Sequence, residues 1–266
     1  MFERNFPFKQ MELREVDGVN YIFLPNIWIR NEELPVGATY EEYIGYMISD
    51  KPKPNYHIAP SFVTKGKIND SGLLIGENII AGSFSYNELK TKAAEYNAEP
   101  FNIYDMHLLA RLMLIEFGNS NIQKALSGVE GKMGATYHGI KNIWGAEEFG
   151  QWYYGLTTEE GTIHVLNSKM DGSMVDTKIV PSGSGYPSSL LTAKTLSYDL
   201  GDLFLAKNQA VNAVDGILDD YQCLENESAF NSGYIDNNAL CGPFYLCNDR
   251  VDKKIRNIGL RLRKAC

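Results

Sequence analysis

Apolar residues recur at helical spacing most clearly in IYDMHLLARLMLIEF, Ile103 to Phe117. There Met106, Leu109, Leu112 and Met113 form a stripe that Leu108 and Ile115 broaden, and Gly118-Asn119 supplies a stop. A stripe that wide predicts a helix buried against a sheet. Upstream, Ser85 and Glu88 make a capping-box pattern that opens a shorter helix through about Tyr96, ended by Asn97 and Pro100. Elsewhere the pattern has period two or is broken. MELREV, Asp17-Gly18 and VNYIFLPNIWIR read as a β-hairpin, because Asp-Gly between β-prone runs suits a turn with positive φ at both central residues. GLLIGENIIAGS reads as two short strands, and TIHVLNS, TKIVPSG and DLFLAKN as short strands set among Gly-, Ser-, Asn- and Asp-rich loops. GPFYLCN and KKIRNIGLRLRKAC close the chain as two strands, the last placing Ile258, Leu260 and Leu262 on one face. Residues 31–60, with Pro35, Pro52, Pro54 and Pro60, read as connecting loops.

Composition narrows the class. At 266 residues, 44% hydrophobic and 22% charged, the chain has the makings of an ordered globular core. Sixteen Tyr, twelve Phe and 24 Gly favour a β-rich, loop-rich architecture. A net charge of −8 repels a phosphate backbone, so nucleic acid is not an expected partner. No run approaches the roughly 20 apolar residues of a membrane span, and MFERNFPFKQ is charged where a signal peptide needs an apolar run. The expectation is a soluble protein made in a cytoplasm.

Four motifs then occur in a familiar order: FLPNIWIR at Phe23 to Arg30, HIAPSF at His57 to Phe62, GIKNIWGAEEFGQWYYGL from Gly139, and CGPFYLCNDRVDKKIRNIGLRLRK from Cys241. Together with the helix at Ile103, they make residues Met11 to Lys264 resemble the C-type-lectin-like domains of tailed-phage virion proteins. Those domains are cousins of the formylglycine-generating enzyme and of the variable proteins of diversity-generating retroelements. The resemblance implies an α+β, C-type-lectin-like fold with two helices, short antiparallel strands and long loops. It is elaborated by an N-terminal β-hairpin, with residues 1–30 packed on a main domain of residues 31–266. Trp144, Phe149, Trp152 and Tyr153 would supply its buried area, with Gly145 allowing a tight turn among them.

Candidate chemistry is sparse. Glu147 and Glu148 are adjacent, so on a strand they face opposite ways and on a helix diverge by about 100°, which suits solvated carboxylates better than an acid–base pair. All four cysteines, Cys223, Cys241, Cys247 and Cys266, fall near the end of the chain. Buried thiols, disulfides formed after release and a zinc site compete, the last disfavoured because no Cys-x-x-Cys occurs. In the formylglycine-generating enzyme two nearby cysteines hold copper; Cys241 and Cys247 fall in the corresponding region, but one residue further apart and without the Arg-rich surroundings. His57, His107, His138 and His164 show no metalloprotease spacing and read as structural. Asp215, Asp219 and Asp220 are weak calcium candidates that lack the EF-hand spacing.

Binding fits better. NSGYIDNNALCG combines Tyr with Asn, Ser and Gly, the mixture of rigid aromatic and adaptable polar groups that recognition surfaces use. In the resembled family this region carries the exposed, often variable, recognition face. The candidate contacts are Tyr234, Asp236, Asn237, Asn238, Asn248, Asp249 and Arg250. The expected function is that of a non-enzymatic phage virion protein without a cofactor, made in the host bacterial cytoplasm. It would be an adhesin of the tail fibre, tail tip or head appendage, homo-oligomeric and trimeric in many such proteins. Its partners would be other virion proteins and a bacterial surface glycan or protein. A structural decoration or connector protein of the virion is the alternative, and a copper-dependent oxidase of the formylglycine-generating type a further one.

Overall fold

The computed structural model describes residues 8–25, 28–29, 48–49, 72–117, 122–127, 134–146, 149–167, 172–181, 183–190, 205–211, 222–224, 228–232, 242–243, 245–255 and 257–266. Asp17 and Gly18 take φ of 54° and 75°, and this turn joins β1 (Glu12–Val16) to β2 (Val19–Leu24) in a hairpin. β2 ends at Leu24, short of the predicted run. β3 (Trp28–Ile29) pairs separately with β4 (Ile48–Ser49). The first sheet then runs β1-β2-β5-β16-β6, with β5 at Leu73–Gly76, β6 at Glu99–Pro100 and β16 at Leu262–Ala265.

The second sheet is built around β7 (Gly150–Glu159), a strand of ten residues. β8 (Thr162–Leu166) and β9 (Met174–Asp176) follow on one side of it. β13 (Ser228–Asn231) and β14 (Cys247–Asp249) lie on the other. β15 (Ile258–Gly259) pairs parallel to β7. Gly155 sits in β7 at φ +86°, and a Cβ there would meet the Leu166 Cβ at 2.7 Å, so β7 and β8 approach as they do only because the residue is glycine. A third sheet orders β11 (Ala206–Ala210), β10 (Gly183–Leu190) and β12 (Gln222–Leu224), and a parallel bridge from Gln222 to Leu246 ties it to the start of β14.

Three helices accompany the sheets: α1 (Leu89–Ala94), α2 (Ile103–Phe117) and α3 (Ile122–Ser127). α1 continues a 3-10 turn, Tyr86–Glu88, and Glu88 Oε2 accepts from the Ser85 backbone N–H at 2.9 Å, as a capping box requires. α2 spans the stretch expected from periodicity, but its polar side is buried as well: Asp105 and His107 are as enclosed as Met106 and Leu109. Burial holds the His107 pKa well below its ordinary range, so the ring is neutral at pH 7.

Strand outweighs helix among the described residues, 44% to 19%. This overturns the expected α+β, C-type-lectin-like fold with two helices. The architecture is sheet-rich and mostly β, with a third helix, Ile122–Ser127, beyond the Gly118-Asn119 stop. The alternation of the inner strands explains the packing. β2 sends Ile22 and Leu24, β5 sends Leu73 and Ile75, and β7 sends Tyr153 into a core around α2. The alternate residues Tyr21, Leu74 and Trp152 join Tyr86, Leu89, Ile258, Leu260 and Leu262 in a second core beside α1. Strands buried on both faces need apolar residues at consecutive positions, as Leu73, Leu74 and Ile75 are.

Candidate functional site

The expected recognition segment is rooted in the second sheet. β13 and β14 are antiparallel neighbours, with Ala229 opposite Asp249, Phe230 opposite Asn248 and Asn231 opposite Cys247. The chain between them, residues 232–246, therefore leaves and rejoins the sheet on adjacent strands. Its first residue, Ser232, is fixed to β7 twice: its N–H donates to Gln151 O at 2.9 Å and its Oγ accepts from Gln151 N at 2.9 Å. Tyr234, Asp236, Asn237 and Asn238 lie outside the described residues, as do Cys241, His57 and the acidic trio Asp215, Asp219 and Asp220.

Asn248 is locked by its neighbours. Its Nδ2 donates to Ser228 Oγ at 3.1 Å and its Oδ1 accepts from the Cys223 thiol at 2.7 Å, while Ser184 Oγ donates to the same sulfur at 3.1 Å. Asp249 and Arg250 are matched locally, to Lys253 at 3.0 Å and Asp252 at 2.9 Å. The three residues thus form a polar, charge-balanced shoulder at the foot of the 232–246 connection. The expected core motif divides: Trp144, Trp152 and Tyr153 are enclosed, Gly145 takes φ +116°, and half-buried Phe149 exchanges two backbone hydrogen bonds with Ala146. Glu147 and Glu148, between them, lie outside the described residues.

The remaining histidines have partners on the surface. His138 Nε2 is 2.9 Å from Glu116 Oε2, and His164 Nε2 is 3.3 Å from Thr162 Oγ1, which in turn donates to Asp176. No group of three His, Cys, Asp or Glu among the described residues is placed to hold a metal ion.

The structure also assembles a place that sequence reading missed. A cleft of about 270 Å³ is lined by Lys90 from α1, Glu99 and Pro100 from β6, Asn102 ahead of α2, Tyr154 from β7 and Arg263 from β16. Arg263 lines it in ion pairs with Glu99 and with Asp105, whose Oδ2 is 3.0 Å from Arg263 Nε. Tyr154 stacks on Tyr86, ring centroids 5.7 Å apart, and Lys90 Nζ stands 5.4 Å from the Tyr154 centroid. Burial raises the Asp105 pKa while Arg263 opposes it. These residues come from five separate elements, and no local spacing links positions 90, 102, 154 and 263.

One ion pair at the capping turn before α1 gives a pH-dependent stability. Lys254 Nζ lies 2.6 Å from Glu88 Oε1. That contact, with the Ser85 backbone N–H, lowers the Glu88 pKa from its ordinary 4.5 to about 2. A carboxyl depressed in the folded state favours folding above its unfolded pKa, and the contribution disappears as pH falls from about 4.5 through about 2. Urea midpoints at pH 7 and pH 2.5 should therefore differ less in Glu88→Gln than in the parent chain. An unchanged gap would remove Glu88 from the acid response.

No protein-family model matches the chain, and no curated protein matches it. No helix among the described residues is long and apolar enough to cross a membrane.

Proposed function

We propose that the protein is a non-enzymatic virion component of a tailed phage, an adhesin of the tail fibre, tail tip or head appendage that recognises a glycan or protein on the bacterial surface. The observation that carries this reading is the 232–246 connection mounted on β13 and β14. Hairpin connections between antiparallel neighbours commonly need about 2–5 residues, and much longer ones tend to be functional. This one is longer than turning the chain requires, is rich in Tyr, Asn, Ser and Gly, and stands on a shoulder whose side chains are already locked together. Locked side chains beside a segment of that composition suit a recognition surface. The motif order that resembles tailed-phage virion proteins supports the particle assignment, with synthesis in the host bacterial cytoplasm. Homo-oligomerisation, as a trimer, would turn weak single contacts into useful avidity.

Purified protein is expected to bind host cells and to block phage adsorption. The triple variant Tyr234→Ala, Asn237→Ala, Asn238→Ala should reduce both at least about tenfold, equivalent to about 1.4 kcal/mol per site engaged. Undiminished blocking by a folded triple variant would refute recognition through this loop. Incorporation into particles with no binding to cells would identify a decoration or connector protein instead.

A further inference from the structure

We propose that the cleft between α1, β6 and β7 binds a single sugar ring bearing a carboxylate, of the hexuronate class. The inference rests on the adhesin reading for the origin of the ligand, as an acidic residue of a bacterial surface polysaccharide.

Three donor groups line the cleft with capacity left over. Asn102 is 1% exposed, and its Oδ1 is engaged by the backbone N–H groups of Tyr104 and Asp105 at 3.0 Å each. Its Nδ2 has no acceptor among the described residues, and as Asn102 lines the cleft it can donate to a ligand oxygen or water there. Arg263 is held through Nε and Nη1 by Asp105 and Glu99, which leaves Nη2 to donate. Among the described residues, Lys90 Nζ donates to the Gly172 carbonyl at 3.3 Å, one acceptor for a group with three protons. One cation without a carboxylate partner among the described residues, a spare guanidinium N–H and an amide suit a single carboxylate.

The other walls decide what carries that anion. Glu99, its side chain 57% exposed, offers acceptor oxygens to hydroxyl groups. Tyr154, braced by Tyr86, and Leu166 present flat apolar surface to the C–H edge of a ring. A phosphate dianion would meet Glu99 as well as the cations, whereas a carboxylate brings a single charge. A neutral sugar would leave the charge of Lys90 unmatched. At about 270 Å³ the cleft falls just below the roughly 300–1,000 Å³ of drug-sized sites, so it admits one ring rather than an oligosaccharide.

The test is titration of the full chain with glucuronate, glucose, acetate and inorganic phosphate, followed by calorimetry or ligand-observed magnetic resonance. Glucuronate should bind saturably, with glucose and acetate each at least about tenfold weaker, and Lys90→Gln should weaken glucuronate about tenfold. Lys90 is exposed, so this variant keeps the fold. Equal binding of glucose, equal binding of phosphate, or an unaffected Lys90→Gln would each overturn the proposal. A protein that adsorbs to cells yet ignores glucuronate overturns the cleft assignment and leaves the adhesin reading standing. One that binds glucuronate through Lys90 but never adsorbs upholds the cleft and removes the adhesin reading.

Discussion

Replacing Arg261 by methionine should lower the free energy of unfolding by about 3–5 kcal/mol, measured by urea denaturation at pH 7. Arg261 is completely buried, and no carboxylate is among its hydrogen-bond partners. Its Nε donates to Gln151 Oε1 at 2.8 Å, Nη1 to Gly76 O at 2.7 Å, and Nη2 to Lys141 O and Asn142 O at 2.8 and 2.7 Å. One guanidinium therefore joins β5, β7 and the turn before β7. Burial lowers its pKa from 12.5 to about 9, so the group is still charged at pH 7 and its charge is spread over four oxygen dipoles. Methionine keeps the stem volume but leaves four acceptors without a donor, each costing about 1–3 kcal/mol before relaxation. Arg261→Lys restores charge but not the planar fork, and should recover less than half of the loss. A methionine variant within about 1 kcal/mol of the parent would show that the four oxygens find other partners.

Trp152→Ala should cost a comparable amount, about 3–5 kcal/mol, the usual range for emptying a buried aromatic site. The indole is 1% exposed, donates from Nε1 to Phe84 O at 2.8 Å, and meets Tyr86 edge-on with centroids 6.0 Å apart. Tyr86 also receives the Gly155 N–H on its hydroxyl at 2.9 Å, and burial raises its own pKa. Emptying the Trp152 site thus loosens the brace behind Tyr154 and should weaken glucuronate binding along with stability. Trp152→Phe should regain most of the packing and leave a residual loss of about 1 kcal/mol for the orphaned Phe84 carbonyl. Equal losses in the alanine and phenylalanine variants would place the energy in the hydrogen bond rather than the packing.

These residues also show how far the sequence could be read. Asp17-Gly18 announced its hairpin because the turn chemistry is local, and Ile103 to Phe117 announced a helix because one periodicity runs through four turns. α3 escaped because six residues just past the Gly118-Asn119 stop carry too little periodicity to announce a helix of their own. β7 was read as a packing motif: its aromatic residues and Gly155 hid a central strand whose two faces are both buried. In the last strands Ile258, Leu260 and Leu262 do share a buried face, but Arg261 and Arg263 fill the other. A charged residue in an alternating pattern reads as solvent-facing unless its partners are known, and those of Arg261 lie 110 or more positions away. The cleft was illegible for the same reason. The segment proposed for recognition rests on composition, and most of it lies outside the described residues.

The first sheet has a consequence for how the chain is made. β16 pairs with β5 on one side and β6 on the other, and Lys264 reaches back to Asp17 at 2.6 Å, 247 positions earlier in sequence. At about 5–20 residues per second, ribosomes need roughly 10–50 s to deliver that partner after the hairpin emerges. During this interval Ile22, Leu24, Leu73 and Ile75 have no complete sheet to belong to, so nascent chains halted before residue 262 should be held by chaperones or lost to aggregation.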